Sequence, residues 1–293
     1  IYEVALKNDP ELLAAESNHK ATMQKFPIAR SLLLPNLNFS ATSKRTRESI
    51  EGSVYGRSSS SSEYTTDEYS IKLKQPLYRK DLFALLEKSE FEVAKSLAER
   101  DLARQDLIVR VAENYFNILD AIDNIEYTVS EKNAIKSQLE EAKKRFEVGL
   151  IAITDLTDAQ ASYDLSVTRV IEAESLSDLE KESLYILTGK LFNNFSPLIL
   201  DIKIKNPDPN NIKDWEKFAI KQSLEIFVSM RAQDIATSNL KYERSKHYPT
   251  LDIYGAITET DKGGGSSGAF ESNNDYIGIE LNIPIFIGGN THY

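Results

Sequence analysis

Cysteine and histidine are the side chains that most often carry nucleophilic or metal chemistry, and this sequence has few of them. It contains no cysteine, which excludes disulfides, thiolate metal sites and cysteine nucleophiles. His19, His247 and His292 form no pair at zinc-site spacing, so we expect them to be surface residues. The glycines at 263–265 lack the Gly-Lys-Ser/Thr ending of a phosphate-binding loop. The sequence therefore predicts no enzyme, no metal site and no cofactor.

Composition narrows the class of protein further. The 293 residues are 41% hydrophobic and 27% charged, which is enough for a packed core. A net charge of −10 disfavours nucleic acid as a partner, because phosphate binding needs clustered Lys and Arg. No apolar run approaches the roughly 18 to 20 residues of a membrane-spanning helix. Residues 1–7 lack the basic and apolar regions of a signal peptide, so we expect that any such peptide has been removed.

An internal repeat organises the chain. Residues 5–37 align without gaps on residues 219–251, and residues 71–78 align on residues 279–286. Each repeat predicts a helix, a strand that follows a proline, a polar loop and a second strand. In the first repeat a long helical region follows. If the native protein completes the second repeat, a further helical hairpin on the order of 110 residues is expected there.

The helical region predicts a hairpin. Residues 79–146 contain neither Gly nor Pro, which indicates one continuous helix about 100 Å long. Gly149 ends this helix, and Thr154 is placed to cap a return helix that runs to Leu187. Apolar residues at alternating steps of three and four predict a coiled-coil seam. The predicted seam residues are Ile108, Val111, Tyr115, Ile118, Ile122, Ile125, Val129, Ile135, Leu139, Ala142 and Phe146.

The two arms of this hairpin differ in length, with about 68 residues outgoing and about 34 returning. A helix over residues 2–34 would complete the shorter arm by stacking end to end on the return helix. Pro27 predicts a kink or break within that helix. Composition alone favours an ordinary antiparallel coiled coil, and the repeat and the strands reverse that preference.

Four segments alternate between apolar and polar residues with a period of two, which predicts strands with one apolar and one polar face. Residues 44–67 and 259–274 are rich in Ser and Gly and are expected to be loops. A soluble sheet with one solvated face would show the same alternation. A membrane barrel would need several chains, because four strands cannot close one. The apolar positions are Leu37, Phe39, Ala41, Tyr69, Ile71, Leu73, Leu251, Ile253, Gly255, Ile277, Ile279, Leu281 and Ile283.

Several short motifs give the chain a resemblance to a known family, the TolC-like outer-membrane factors of Gram-negative tripartite efflux and type I secretion systems. Together they are specific, although each alone is weak. They are the segments at 8–12, 34–37, 75–78, 145–150, 154–155, 159–161, 187–189, 248–251 and 282–286, with the glycines at 288–289.

The resemblance implies a mostly α protein with β-hairpins and no catalysis. It implies a homotrimer with a twelve-stranded transmembrane β-barrel in outer-membrane lipid and a long α-helical barrel in the periplasm. The implied partners are a periplasmic adaptor protein and an inner-membrane transporter, with no nucleic acid and no cofactor. The alternative is a soluble coiled-coil scaffold or adaptor protein.

The resemblance also points to two groups of residues. Arg145, Gly149, Leu150 and Thr154 match the hairpin tip that family adaptors engage. Gln138, Thr154 and Asp155 match positions that make contacts at the closed gate. Purely structural roles are the alternative, with Gly149 supplying a positive φ and Thr154 a helix cap, and the two kinds of role can coexist.

The expected layout follows the repeat. It consists of a stacking helix (1–34), a first β-hairpin (35–78), a long periplasmic helical hairpin (79–188), an equatorial segment with the second-repeat helix (189–248), a second β-hairpin (249–287) and the start of a second helical hairpin (288–293).

Overall fold

The structure, a computed structural model, describes residues 1–50, 60–199, 206–265 and 267–285. Sequence predictions for Phe286, His292 and the glycines at 288–289 therefore lie outside the described residues. The described elements are α1 (Tyr2–Asn8), α2 (Pro10–Met23), α3 (Lys25–Ser31), β1 (Asn36–Ile50), β2 (Ser60–Tyr78), α4 (Lys80–Glu147), α5 (Ile153–Thr188), α6 (Ile212–Gln222), α7 (Leu224–Ser245), β3 (Thr250–Gly263) and β4 (Ala269–Asn282).

The helix predicted over residues 2–34 is three helices. Asp9 is extended, with φ −60° and ψ 120°, and Pro10 occupies the first helical position of α2. The Asp9 carboxylate caps α2 by accepting the Leu12 N–H at 2.8 Å. The second break lies between Met23 and Lys25, where the missing N–H of Pro27 removes a helical hydrogen bond. The kink or break predicted from Pro27 is therefore present.

The second repeat reproduces the first of these breaks. Ser223 stands 214 residues after Asp9 and separates α6 from α7. Its hydroxyl accepts the N–H of Ile226, the residue 214 after Leu12, at 3.4 Å. Likewise β1 begins after Pro35 and β3 after Pro249. Equivalent positions thus stop and start equivalent elements, which supports the repeat found in the sequence.

The continuous helix and its return helix are present as α4 and α5, but the seam differs from the prediction. Val111, Ile118 and Leu139 are buried as predicted, whereas Ile108 and Ile122 are exposed. Their neighbours Leu107 and Ala121 are buried instead. At the second of these steps the prediction chose Ile122 over the smaller Ala121, although small residues also pack well between helices. On α5 the buried positions keep heptad spacing and include Ser166, Val170, Ala173, Ser177, Leu184 and Leu187.

The chain forms two compact units, Ile1–His19 with Leu97–Ile226 and Lys20–Ser96 with Phe227–Tyr293. In the first unit, a core cluster joins α1, α2, α4 and α5. Its buried members are Ala5, Leu12, Leu107, Val111 and Leu187. Residues near the start of the chain and near the end of α5 therefore pack against the same part of α4. The second arm proposed from helix lengths stays a prediction.

A buried ion pair fixes the break at Asp9 to α4. Asp9 is 1% exposed, and both guanidinium Nη atoms of Arg110 donate to its carboxylate at 3.1 and 3.0 Å. Arg110 also contacts Asp106 at 2.7 Å and Glu11 at 3.2 Å. The hydrogen bond with Asp9 is the main reason that the pKa of Arg110 is raised above its ordinary value, and the interactions with Asp106 and Glu11 add to it.

His19 was expected at the surface, but the structure shows that its side chain is buried.

In the second unit, β1–β2–β3–β4 form one antiparallel sheet in chain order. Residues directly opposite each other share a face, so the row Leu37, Leu73, Gly255 and Ile277 lies on one side. This apolar face is exposed, whereas Ser70, Asp252 and Ala256 on the other face are buried. The sheet therefore curls with its polar face concave, as expected for a segment of a barrel wall.

The strands extend well beyond the predicted ones. Within the described residues, the expected loops at 44–67 and 259–274 are largely strand, with β1 paired to β2 as far as Ile50 opposite Ser60. Residues 51–59 and 266, which belong to these expected loops, lie outside the described residues. The paired segments are polar on both faces, so they lack the alternation that identified the shorter strands. Their backbone hydrogen bonds nevertheless stabilise the pairing. The β3–β4 turn uses Gly265 and Gly268 at φ 99° and 80°.

Stability of the second unit is expected to depend on acid pH through Asp81. Arg79 donates Nε and Nη2 to the two carboxylate oxygens of Asp81 at 3.0 and 2.8 Å. This hydrogen bonding, against an opposing effect of burial, lowers the pKa of Asp81 below its ordinary value. A lowered pKa stabilises the folded state above the unfolded-state pKa, and that contribution is lost as pH falls through the folded-state value.

The Asp81→Asn variant should be less stable than wild type at pH 7 by about 1 kcal/mol. The difference should shrink as pH falls below the ordinary aspartate pKa, near 4. Thermal unfolding between pH 7 and pH 3 measures this. Asp178→Asn is the control, since that side chain is 78% exposed beside Lys181. An Asp81 effect that is constant with pH would contradict the account.

Candidate functional site

The tip of the α4–α5 hairpin is a tight turn built on Gly149. Gly149 has φ 75°, and its N–H donates to the Phe146 carbonyl at 2.9 Å. The next N–H, that of Leu150, donates to the Arg145 carbonyl at 2.9 Å. This pair of bonds is the Schellman motif, which satisfies carbonyls at the end of α4 and turns the chain sharply. The predicted structural role of Gly149 is therefore present.

The return helix begins differently from the prediction. Its N-cap is Ala152 and its first helical residue is Ile153, so Thr154 lies inside the helix and is not its cap. Asp155 satisfies this end instead, because its carboxylate accepts the Ala152 N–H at 3.2 Å. Carboxylates are favourable in the first turn of a helix, and this one explains why Asp155 rather than Thr154 stabilises the start of α5.

The structure places the predicted site residues on the surface of one hairpin. Arg145 forms an ion pair with Glu141 on its own helix. Thr154 and Asp155 are exposed in the first turn of α5, and Gln138 is exposed on α4. In the described part of the chain, no hydrogen bond joins Gln138 to either of them. The tip residues are thus brought together, whereas Gln138 makes no hydrogen bond with the other two gate residues.

An exposed apolar patch covers the tip. Val148, Leu150 and Ile153 are 69%, 73% and 58% exposed. The sequence analysis named Leu150 but missed Val148 and Ile153, which flank the same glycine turn. Exposed apolar residues this close together at a loop mark an interaction surface more often than a packing role.

The Gly149 turn should be sensitive to any side chain that resists positive φ. Gly149→Ala should cost about 1–2 kcal/mol of hairpin stability. Open space surrounds the position where its Cβ would lie, so strain rather than a clash is the cause. Gly149→Asn should cost less, because Asn tolerates the left-handed conformation. Denaturant unfolding of both variants checks this, and equal costs for Ala and Asn would contradict the strain argument.

The second candidate surface is the convex apolar face of the sheet. Most of its apolar side chains are between 36% and 81% exposed, and together they form a band across the four strands. The band includes Leu37, Phe39, Ile71, Leu73, Ile257, Ile277, Ile279 and Leu281. An exposed apolar band of this extent on a curled sheet needs an apolar environment to cover it.

The concave face is polar and internally bonded. Ser40 and Ser70 share a hydrogen bond of 2.8 Å between their hydroxyls. Near the end of β2, Asp252 lies 3.0 Å from Lys74 Nζ and 3.5 Å from Arg79 Nη1. These contacts tie β2 and the start of α4 to β3. An aqueous lumen is the environment that such a face requires.

Both long helices carry a second apolar stripe beside their shared seam. On α4, Ile108, Phe116 and Ile122 are 51%, 52% and 38% exposed. On α5 the exposed stripe is Leu165, Leu176, Leu179 and Ile186. A helix with two apolar stripes is suited to pack against a neighbour on each side.

In the described ranges, no group of three or more His, Asp or Glu side chains is placed so that it could hold a metal ion. None of the helices in these ranges has an apolar stretch long enough to span a membrane.

Comparisons with known proteins agree on one family. The outer membrane efflux protein family matches residues 1–190. The outer membrane protein TolC of Vibrio cholerae is 32% identical over 99% of this chain and 65% of its own length. TolC of Escherichia coli is 28% identical over 99% and 59%, and the alkaline protease secretion protein AprF of Pseudomonas aeruginosa is 28% identical over 99% and 61%.

Solved structures show the same fold. The CmeC outer membrane channel of Campylobacter jejuni matches with a TM-score of 0.77 at 20% identity, over 99% of this chain and 62% of that one. The outer membrane protein VceC of Vibrio cholerae matches with a TM-score of 0.72 at 16% identity, over 99% and 69%. The chain spans between 59% and 65% of the length of the three curated relatives. The family match covers well over half of the sequence, and the chain belongs to the outer membrane efflux protein family.

Proposed function

We propose that this chain forms part of a passive channel in the outer membrane of a Gram-negative bacterium, through which a tripartite efflux or type I secretion system exports its substrates. The observation that carries the proposal is the sheet, with an exposed apolar convex face and a polar concave face. Lipid covers the first and water fills the space inside the second. No catalysis is involved.

The channel is a homotrimer. In the described sheet, β1 and β4 are edge strands, and an open edge cannot lie in a bilayer because its backbone groups would be unsatisfied. Four strands are too few to close a barrel, whereas three chains of four supply twelve. The barrel lies in outer-membrane lipid, and no nucleic acid takes part.

The helical hairpin lies in the periplasm. The second apolar stripes on α4 and α5 contact neighbouring helices, as the wall of an α-helical barrel requires. The tip with Arg145, Gly149, Leu150 and Thr154 engages a periplasmic adaptor protein, which connects the channel to an inner-membrane transporter. Gln138, Thr154 and Asp155 contribute to the closed gate. For the order and roles of the segments, we propose the same layout that the sequence analysis expects from the repeat.

A soluble coiled-coil scaffold is the competing function, and the sheet argues against it. A scaffold has no use for the broad apolar face on β1 to β4, which would promote aggregation in water. The names of the curated relatives likewise refer to outer membrane and secretion proteins.

Lysine substitutions on opposite faces of β1 test the proposal. Phe39→Lys places a charge on the apolar face and should make the free energy of membrane insertion less favourable by about 2–4 kcal/mol. Thr42→Lys is the matched control, because Thr42 lies on the polar face opposite Glu68. The amount of folded protein in outer-membrane fractions measures both. Equal yields of the two variants would contradict the assignment of the faces.

A further inference from the structure

The two edge strands of the sheet carry opposite charges on the convex face. Beyond the apolar band, β1 presents Arg45 and Arg47, and β4 presents Glu271 and Asp275. The register fixes these residues on one face, since Ser43, Asp67, Asp261 and Glu271 form a single row that alternates with the polar rows of the concave side.

The cations of β1 are only partly satisfied within the chain. Arg45 lies 3.0 Å and Arg47 3.6 Å from the same carboxylate oxygen of Glu63, so two guanidinium groups share one acid. Both side chains are about three quarters exposed. Donors on both guanidinium groups therefore remain available to a further acid.

The acids of β4 have no ion-pair partner among the described residues. Asp275 stands in one row with Phe39, Ile71 and Ile257 and precedes the apolar residue Ile277 by two positions on the same face. A carboxylate beside lipid-facing apolar residues is costly unless a cation pairs with it. Nothing on β3 supplies one, because its nearest charged residues on this face are Glu259 and Asp261.

We infer that β4 of one copy pairs with β1 of the next through these charges, and that Arg45 and Arg47 meet Glu271 and Asp275 across each subunit seam. This inference rests on the trimeric channel proposed above. The occupant of the β1 edge is a second copy of this chain, since its β4 edge carries the complementary charge. The two strands run antiparallel, as neighbours in such a barrel must.

Apolar matching selects the register of the seam. Pairing Leu37, Phe39 and Ala41 with Leu281, Ile279 and Ile277 continues the apolar band without interruption. Arg47 then faces Glu271, and Arg45 lies diagonally between Glu271 and Asp275. A shift of two residues in either direction still puts Arg45 opposite one of these acids. A shift of one residue would move every side chain to the wrong face.

Cysteine cross-linking suits this test, because residues 1–293 contain no cysteine that would compete. In the native full-length protein, Arg47→Cys with Glu271→Cys should oxidise to covalent dimers and trimers. Within one chain these positions lie on opposite edges of the sheet, about 14 Å apart or more, which is too far for a disulfide. Arg47→Cys with Ile277→Cys is the matched control, displaced by about 20 Å along the seam, and should not cross-link.

Charge reversal provides a second readout. Arg45→Glu with Arg47→Glu should lower the temperature at which detergent-solubilised trimers dissociate. Adding Glu271→Arg and Asp275→Arg should restore it, because the swap rebuilds the seam but not the contacts with Glu63. Cross-linking of the 47/271 pair together with this rescue is the expected result.

The outcomes separate this inference from the proposed function. If the protein has the mass of a trimer but neither cross-links at 47/271 nor responds to charge reversal, the proposed seam is wrong and the proposed channel is unaffected. A wild-type protein that is monomeric and soluble without detergent would overturn both.

Discussion

Replacing Leu150 by Asp is expected to reduce the affinity for the adaptor by at least tenfold and to stop export. A tenfold loss corresponds to about 1.4 kcal/mol, which is within the range that a central interface residue contributes. Leu150 is the most exposed member of the apolar tip patch, at 73%. A carboxylate there replaces a desolvated contact with a group that must be rehydrated or paired. Its backbone role in the turn needs only its N–H, so the hairpin should fold normally. Adaptor affinity and export by cells carrying the variant measure the effect.

Thr157→Asp is the matched control for this change. Thr157 is exposed on α5 about one turn from the tip, so it adds the same charge outside the patch. We expect near-normal adaptor affinity for this control and unchanged thermal unfolding for both variants. Equal loss of binding by the two variants would indicate a general effect of negative charge and would contradict the assignment of the patch.

Replacing Arg110 by Ala is expected to destabilise the helical unit by about 3–5 kcal/mol, because it leaves a buried carboxylate without its partner. Asp9 is 1% exposed, and Asp106 and Glu11 also point at the same guanidinium. The variant therefore keeps three neighbouring acids and no cation among them. Thermal unfolding should show a fall in midpoint on the order of 10 °C.

Two further variants isolate the cause of this loss. Arg110→Lys should be intermediate, because an ammonium group cannot donate to both oxygens of Asp9 as the guanidinium does. Arg100→Ala removes an Arg–Asp pair whose side chains are 35% and 40% exposed and should cost less than about 1 kcal/mol. An Arg110→Ala effect no larger than that of Arg100→Ala would show that the buried pair contributes little.

Long, regular features of this fold could be predicted from sequence. The uninterrupted helix now seen as α4 follows from a stretch without Gly or Pro, and the turn at Gly149 follows from the only glycine between two helical segments. The break near Pro27 also follows from sequence, whereas the breaks at Asp9 and Ser223 were not predicted. Features decided by tertiary contacts were missed. The seam uses Leu107 and Ala121 rather than Ile108 and Ile122, because packing between two particular helices selects the face.

The candidate site shows the same division. The tip could be located from Gly149, but the exposed patch required knowing that Val148 and Ile153 lie on the surface beside it. Asp155 rather than Thr154 stabilises the start of α5. The N-cap is Ala152, two residues before the predicted Thr154, and propensity does not resolve a difference of that size at a helix end. The polar ends of the strands lacked alternation, so their length and the charged seam residues became visible only through strand pairing.

The mass of the detergent-solubilised oligomer, measured on native full-length protein taken from outer membranes, tests the central claim most directly. The account predicts that detergent is needed to keep the protein in solution and that each particle contains three copies, which together close the barrel that the four strands of one chain cannot. A protein that stays soluble without detergent as a monomer would contradict the channel and leave a helical scaffold as the better explanation.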